Sequence, residues 1–457
     1  MSNTKKYEMD MCSGSIMKKM LIFTLPLMFS SILQLLFNAA DIVVVGRFAG
    51  DNSLAAVGST TSLINLLTNL FVGLSIGTNV TAARNYGAKR DEALSRTVHT
   101  SITISIISGV ILTVIGIFGA KEMLRLMSTP EEIIDLAADY LRIYFAGITA
   151  SMVYNFGSAL LRAIGDTKRP LYYLMAAGAV NVIMNLLFVI VFKMDVSGVA
   201  LATVISECLS AFLVVRCLMK ETGAIKLIPK KLRVHKQELG TILRIGLPAG
   251  FQGIVFALSN VVIQSSVNLF GNVVVAGNSA AANIEGFVYV AMNSFYQATL
   301  SFMSQNFGAG QYKRLNKILV CGEICVIAVG VILGNLAVIF GEPLLSIYTD
   351  SPQVIAAGMV RLGYISRVYA LCGIMDVLVG ALRGIGYSVM PMIVSLVGAC
   401  GLRLLWIATV FQIPEYHSVE TVYLSYAITW IITASVHLLC YIIVRKRVAR
   451  KYEKPAL

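Results

Sequence analysis

Long apolar runs separated by short polar breaks dominate the chain. Twelve are read between charged or Gly/Pro-rich interruptions, at 18–46, 54–82, 97–119, 136–161, 170–193, 197–219, 241–269, 275–305, 316–340, 356–382, 388–411 and 419–444. A helix needs about 20 mostly apolar residues to cross a bilayer. Inside lipid every backbone polar group must be satisfied within helices or a closed barrel. Barrel strands alternate apolar and polar positions over about ten residues, whereas these runs are longer and uniformly apolar. The pattern predicts an all-α polytopic membrane protein with twelve transmembrane helices.

The pattern also repeats. Asn85-Tyr86-Gly87-Ala88 returns as Asn306-Phe307-Gly308-Ala309, and Leu161-Arg162-Ala163-Ile164-Gly165 as Leu382-Arg383-Gly384-Ile385-Gly386. Pro170 returns as Pro391, Leu25-Pro26 as Leu247-Pro248, and Thr129-Pro130 as Ser351-Pro352. All keep one order at nearly one offset, so the chain is read as two pseudo-symmetric six-helix bundles. Six helices is an even number, so both halves start on the same side and the repeat is parallel. The expected divisions are a lobe at 1–220, a basic linker at 221–240, a second lobe at 241–445 and a basic tail at 446–457. Paired bundles of this kind suit alternating access around a midplane site.

Composition agrees with a membrane protein. The 457 residues are 57% hydrophobic and 13% charged, against about 25% charged in soluble domains. A net charge of +13 would suggest nucleic acid for a soluble chain. Here the cations sit in clusters between apolar runs, such as Arg84/Lys89/Arg90/Arg96, Arg162/Lys168/Arg169 and the stretch from Arg216 to Arg244. They follow the positive-inside rule and predict both termini in the cytoplasm. The polar start carries Lys5, Lys6, Lys18 and Lys19 and shows no short cleavable segment, so the first helix is expected to be a retained anchor. The eight cysteines form no CxxC, and the four histidines are scattered, without HExxH or GxSxG. These absences argue against an enzyme, and no cofactor is expected.

Ionisable side chains in hydrocarbon cost about 2.5–3.5 kcal/mol on insertion scales, so those inside the runs are candidates for function. Asp41 lies in the first run, with Asn38 three residues before it on the same face. Pro26, earlier in that run, frees a carbonyl and allows a kink. Asp41 is a candidate to bind a proton or cation; the alternative is a residue wetted by the interface near Arg47. Asn181 and Asn185 stack on one face of the fifth helix, with Asn155 on the fourth and Thr203 on the sixth. Their oxygens suit a sodium shell or a protonated carboxyl, or simple interhelical bonding. In the second half, Glu285, Asp376 and Arg403 are embedded in apolar sequence. A buried Arg calls for a carboxylate partner, so Arg403 is expected to pair with Glu285 or Asp376.

Asn38-x-x-Asp41-x-x-x-Val45-Gly46, the Leu161-Arg162-Ala163-Ile164-Gly165-Asp166 run followed by Pro170, and the 6+6 repeat resemble the multidrug and toxic compound extrusion (MATE) family. The resemblance covers nearly the whole chain. It implies an antiporter of the cell membrane that expels amphipathic, often cationic organic compounds in exchange for H+ or Na+; a monomer is expected, with no metal beyond that coupling ion. On this likeness Asp41, Asn181 and Thr203 match the family's cation-binding positions, while Asn185 stands where such members carry Asp. Two alternatives remain open: a lipid-linked oligosaccharide flippase and a narrow exporter of an endogenous metabolite.

Overall fold

The computed structural model describes residues 7–127 and 129–453; Lys5, Lys6 and Lys454 of the cationic clusters lie outside them. Helices account for nearly all of the described residues, and no strand occurs among them. They are α1 (Ile16–Phe48), α2 (Asp51–Gly87), α3 (Asp91–Leu126), α4 (Glu131–Ala163), α5 (Lys168–Leu186), α6 (Asp195–Lys220), α7 (Lys236–Asn268), α8 (Asn272–Gly308) and α9 (Leu315–Ile339). The short α10 (Gly341–Ser346) precedes α11 (Pro352–Ile365), α12 (Ala370–Ile385), α13 (Val389–Ser395), α14 (Leu402–Ala408) and α15 (Val419–Tyr452).

Among the described residues, ten helical segments are long and apolar enough to cross a membrane. An eleventh is the pair Pro352–Val368 and Ala370–Ile385, bent by 44° at its break. The segment read at 136–161 forms α4, which has 33 residues and carries Glu131, Glu132, Asp135 and Asp139 in its first turns. The outer faces are apolar: on α3, Ile107, Ile111, Val114 and Phe118 recur at helical spacing and are exposed, Phe118 at 82%. Water-soluble monomers rarely expose such a contiguous stripe; lipid is its natural solvent.

The sequence repeat is also a backbone repeat. Gly50 and Gly271, each just before the helix that opens its long hairpin, both have φ 88°. Gly165 and Gly386 stand at φ 91° and 103°, a region glycine enters without the Cβ clash of other residues. Between Gly165 and α5, Asp166 Oδ1 accepts the N–H groups of Lys168 and Arg169, both at 3.1 Å, which satisfies donors that a helix start leaves open. Arg169 is also bonded to the side chains of Asp166 and Glu221.

The chain forms two compact units. One comprises Phe29–Gly250 with the described residues up to Asp10; the other comprises Met11–Met28 with the described residues from Phe251. The borders fall inside α1 and α7, so each of these helices gives its first half to one unit and its second half to the other. In the first unit, Leu112, Phe145, Ile148 and Val199 lie in a fully buried core. The first half of α7 packs there against α2 through glycines spaced four apart on both helices. A Cβ on Gly77 would stand 2.3 Å from the Ile242 carbonyl oxygen, and one on Gly73 2.3 Å from the Gly250 nitrogen. The second unit has its own core around Ile263, Phe411, Tyr423 and Trp430.

Candidate functional site

Four helices of the first unit turn one face each toward a common space, mostly polar and aromatic on α1, α4 and α6 and mostly small or aliphatic on α5. On α1 the stripe is Gln34, Phe37, Asn38 and Asp41, on α5 Leu174, Ala177, Gly178 and Asn181, and on α6 Thr203, Ser206, Glu207 and Ser210. Each follows the i, i+3, i+4, i+7 rule of one helix face. Helix α4 adds Tyr144, Ser151, Tyr154 and Asn155. They enclose a cavity of about 310 Å³. Gly178 lets α5 approach α1: a Cβ there would strike the Phe37 ring at 1.9 Å.

Asp41 accepts a hydrogen bond from Asn185 Nδ2 and has the Thr203 hydroxyl beside it. Asn185 Nδ2 also reaches Asn181 Oδ1 at 3.2 Å, and Asn181 Nδ2 reaches Thr203 Oγ1 at 3.4 Å. Thr203 Oγ1 donates to the Val199 carbonyl at 3.0 Å. Asn185 is fully buried, and its Oδ1 has no hydrogen-bond partner among the described residues. One carboxylate and one orphaned amide oxygen thus sit in a network already short of donors, and a bound cation or added proton would supply what is missing. A π turn, Leu187–Val191, begins two residues after Asn185; such turns recur at functional sites.

Of the residues singled out from sequence, Asp41, Asn181, Asn185 and Thr203 form this network. Asn38 and Asn155 line the same cavity, with Asn155 Nδ2 bonded to the Ser151 carbonyl at 2.9 Å. Pro26 lies within an unbroken α1. Glu207 was not among them, yet it lines the cavity, and its buried Oε2 has no hydrogen-bond partner among the described residues. Its signal was the Thr203/Ser206/Glu207/Ser210 spacing.

The second unit corrects one expectation: Arg403 pairs with neither Glu285 nor Asp376. Glu285 is taken by Arg361, whose Nη2 is 2.7 Å from Oε2 and whose Nε is 3.2 Å from both oxygens. Arg361 Nη1 also donates to Asn278 Oδ1 at 2.6 Å, and Tyr423 Oη to the same oxygen at 3.1 Å. Arg403 instead lies 3.9 Å over the Tyr426 ring and donates to Thr429 Oγ1 at 3.2 Å. The physical reason is that Arg361 already neutralises Glu285, while the Tyr426 and Trp430 rings of α15 offer the Arg403 guanidinium cation–π faces. Asp376, on α12, has Tyr289 and Arg383 as its electrostatic neighbours. Among the described residues no three His, Cys, Asp or Glu side chains converge as metal ligands would.

A polytopic helical protein with an internal repeat and a buried polar cavity in one unit has the architecture of a membrane transporter. The comparisons specify it: the family model MatE matches twice, over residues 26–187 and 248–409, and the chain belongs to that family. Among relatives, the probable multidrug resistance protein YoeA of Bacillus subtilis (strain 168) is 28% identical over 89% of each chain. The probable multidrug resistance protein NorM of Thermotoga maritima is 25% identical, covering 85% of this chain and 84% of its own. The FAD transporter of Shewanella oneidensis is 21% identical, covering 84% and 86%. The fold matches a crystal structure of MATE in complex with MaL6, with a TM-score of 0.91 at 21% identity over 98% of this chain and 100% of that one.

Proposed function

We propose that this chain is a secondary antiporter that exports amphipathic, cationic organic compounds in exchange for H+ or Na+. The observation that carries this reading is the network in which Asp41, Asn181 and Thr203, on the wall of the cavity, are joined by the buried Asn185 behind them. An ion at Asp41 changes the charge of that wall and satisfies Asn185 Oδ1. Coupling requires the ion and the exported compound to favour different states of the protein. A wall whose charge depends on the ion supplies that difference: the compound is held while Asp41 is free and released when it is occupied. In this reading the protein works as a monomer in the cell membrane, with both termini cytoplasmic.

Cargo charge separates this reading from a narrow metabolite exporter. The cavity wall carries Asp41 and Glu207, and no Lys, Arg or His is among its described lining residues. Such a wall repels a dinucleotide phosphate or a lipid pyrophosphate and attracts a cation.

The test is efflux of ethidium from proteoliposomes, driven separately by a sodium and by a proton gradient. Wild-type protein is expected to export ethidium with at least one gradient, and Asp41→Asn to lose gradient-driven export while remaining folded. Undiminished export by folded Asp41→Asn would sink the assignment of Asp41.

A further inference from the structure

The cavity holds two carboxylates with different surroundings. Asp41 is tied into the amide and hydroxyl network. Glu207 stands one turn of α6 beyond Thr203 and outside that network. A side-chain hydrogen bond from Ser151 holds it; Oε2 is buried and finds no partner among the described residues. Tyr144, Tyr154 and Phe37 line the same cavity, which places apolar ring surface in one space with a carboxylate that has an unsatisfied oxygen. A buried acceptor without a donor is costly, and a desolvated carboxylate beside aromatic faces suits an organic cation, whose charge meets the oxygen and whose body meets the rings. Small hard cations need several oxygen ligands; the amide and hydroxyl side chains able to supply them, Asn181, Asn185 and Thr203, gather about Asp41, whereas Glu207 has the Ser151 hydroxyl.

We propose that Glu207 is the residue that recognises the positive charge of the exported compound, leaving Asp41 to the coupling ion. This rests on the antiporter reading above and divides the work of its cavity. The division also accounts for Asn185: a second negative charge is present in this cavity, but on the α6 side, where cargo rather than ion would meet it.

The test compares two ligands of similar aromatic bulk, tetraphenylphosphonium and uncharged triphenylphosphine oxide, by equilibrium binding to the purified full-length protein. Wild-type protein is expected to prefer the cation. Glu207→Gln is expected to weaken tetraphenylphosphonium about tenfold, equivalent to about 1.4 kcal/mol, and to leave the neutral ligand unchanged. In proteoliposomes the same variant should raise the KM for tetraphenylphosphonium and keep its dependence on the ion gradient, the reverse of Asp41→Asn. Wild-type protein that takes both ligands alike overturns the proposal, as does a parallel loss of both in Glu207→Gln. Should Glu207→Gln fail to insert, Glu207→Asp carries the test. Setting the charge back by one methylene should weaken the cation about threefold and spare the neutral ligand, and unchanged binding of the cation overturns the proposal. Wild-type protein that exports no cation under either gradient overturns the antiporter reading itself. Export that Glu207→Gln leaves untouched overturns this inference alone.

Discussion

Arg361 and Glu285 form a buried pair in the second unit, and each closes off the other's charge. Asn278 and Tyr423 complete the hydrogen bonding around them. Removing one member of such a pair costs more than the pair contributes, because the survivor stays buried and unpaired. We expect Arg361→Met to lose about 3–5 kcal/mol of stability, read as a lower Tm of the purified protein in detergent. Glu285→Gln added to it should recover part of the loss; a single variant as stable as wild type would refute a structural role for the pair. At this scale the sequence was an uneven guide. Asp41, Asn181, Asn185 and Thr203 were legible because charged and amide side chains inside apolar runs stand out singly. Glu207 was not, since its meaning depends on three other helices facing the same space. Arg403 misled, because Glu285 had a second candidate cation in Arg361 and the aromatic faces of Tyr426 and Trp430 could hold a guanidinium without a carboxylate.

Glycine spacing decides how closely α2 and α7 approach. The carbonyl oxygen of Ile242 and the backbone of Gly250 occupy the places where side chains at 77 and 73 would begin, and backbone cannot swing aside as a long side chain can. We expect Gly77→Ala to cost about 1–3 kcal/mol as an overpacked contact. Gly58→Ala, on the same helix with nothing within 4 Å of its added carbon, should be neutral or slightly stabilising, since Ala favours helix over Gly by about 1 kcal/mol. Paired thermal melts of the two variants would show it, and equal melting points would remove the packing argument. Element existence was readable from length and apolarity alone. Breaks were harder: the segment read at 356–382 is α11 and α12 joined at a bend, and that at 388–411 is α13, a π turn and α14. Hydropathy reports the solvent around a segment and carries no trace of its backbone hydrogen-bond pattern.

On the scale of the whole molecule, the repeat was the clearest message in the sequence, and it reaches down to matched dihedral angles at Gly50 and Gly271. What the repeat does not disclose is that its two copies are not the two compact units, whose borders lie within α1 and α7. Each copy lends its opening half-helix to the other and receives one in return, a reciprocal exchange inside a single chain. Neither half-gene therefore encodes a finished body. A fragment covering 1–221 would lack the stretch from Lys236 to Gly250 that lies on Gly73 and Gly77, and its own Met11–Met28 would have no unit to join. We expect the fragments 1–221 and 222–457 to be degraded when made apart and to rescue one another when made together, measured as protease-resistant protein in membranes. Two fragments that each persist alone would show that the exchange is dispensable. If they do depend on each other, the duplication that built this protein constrained its descendants: neither copy could afterwards be lost, or traded for a foreign one, without undoing the other.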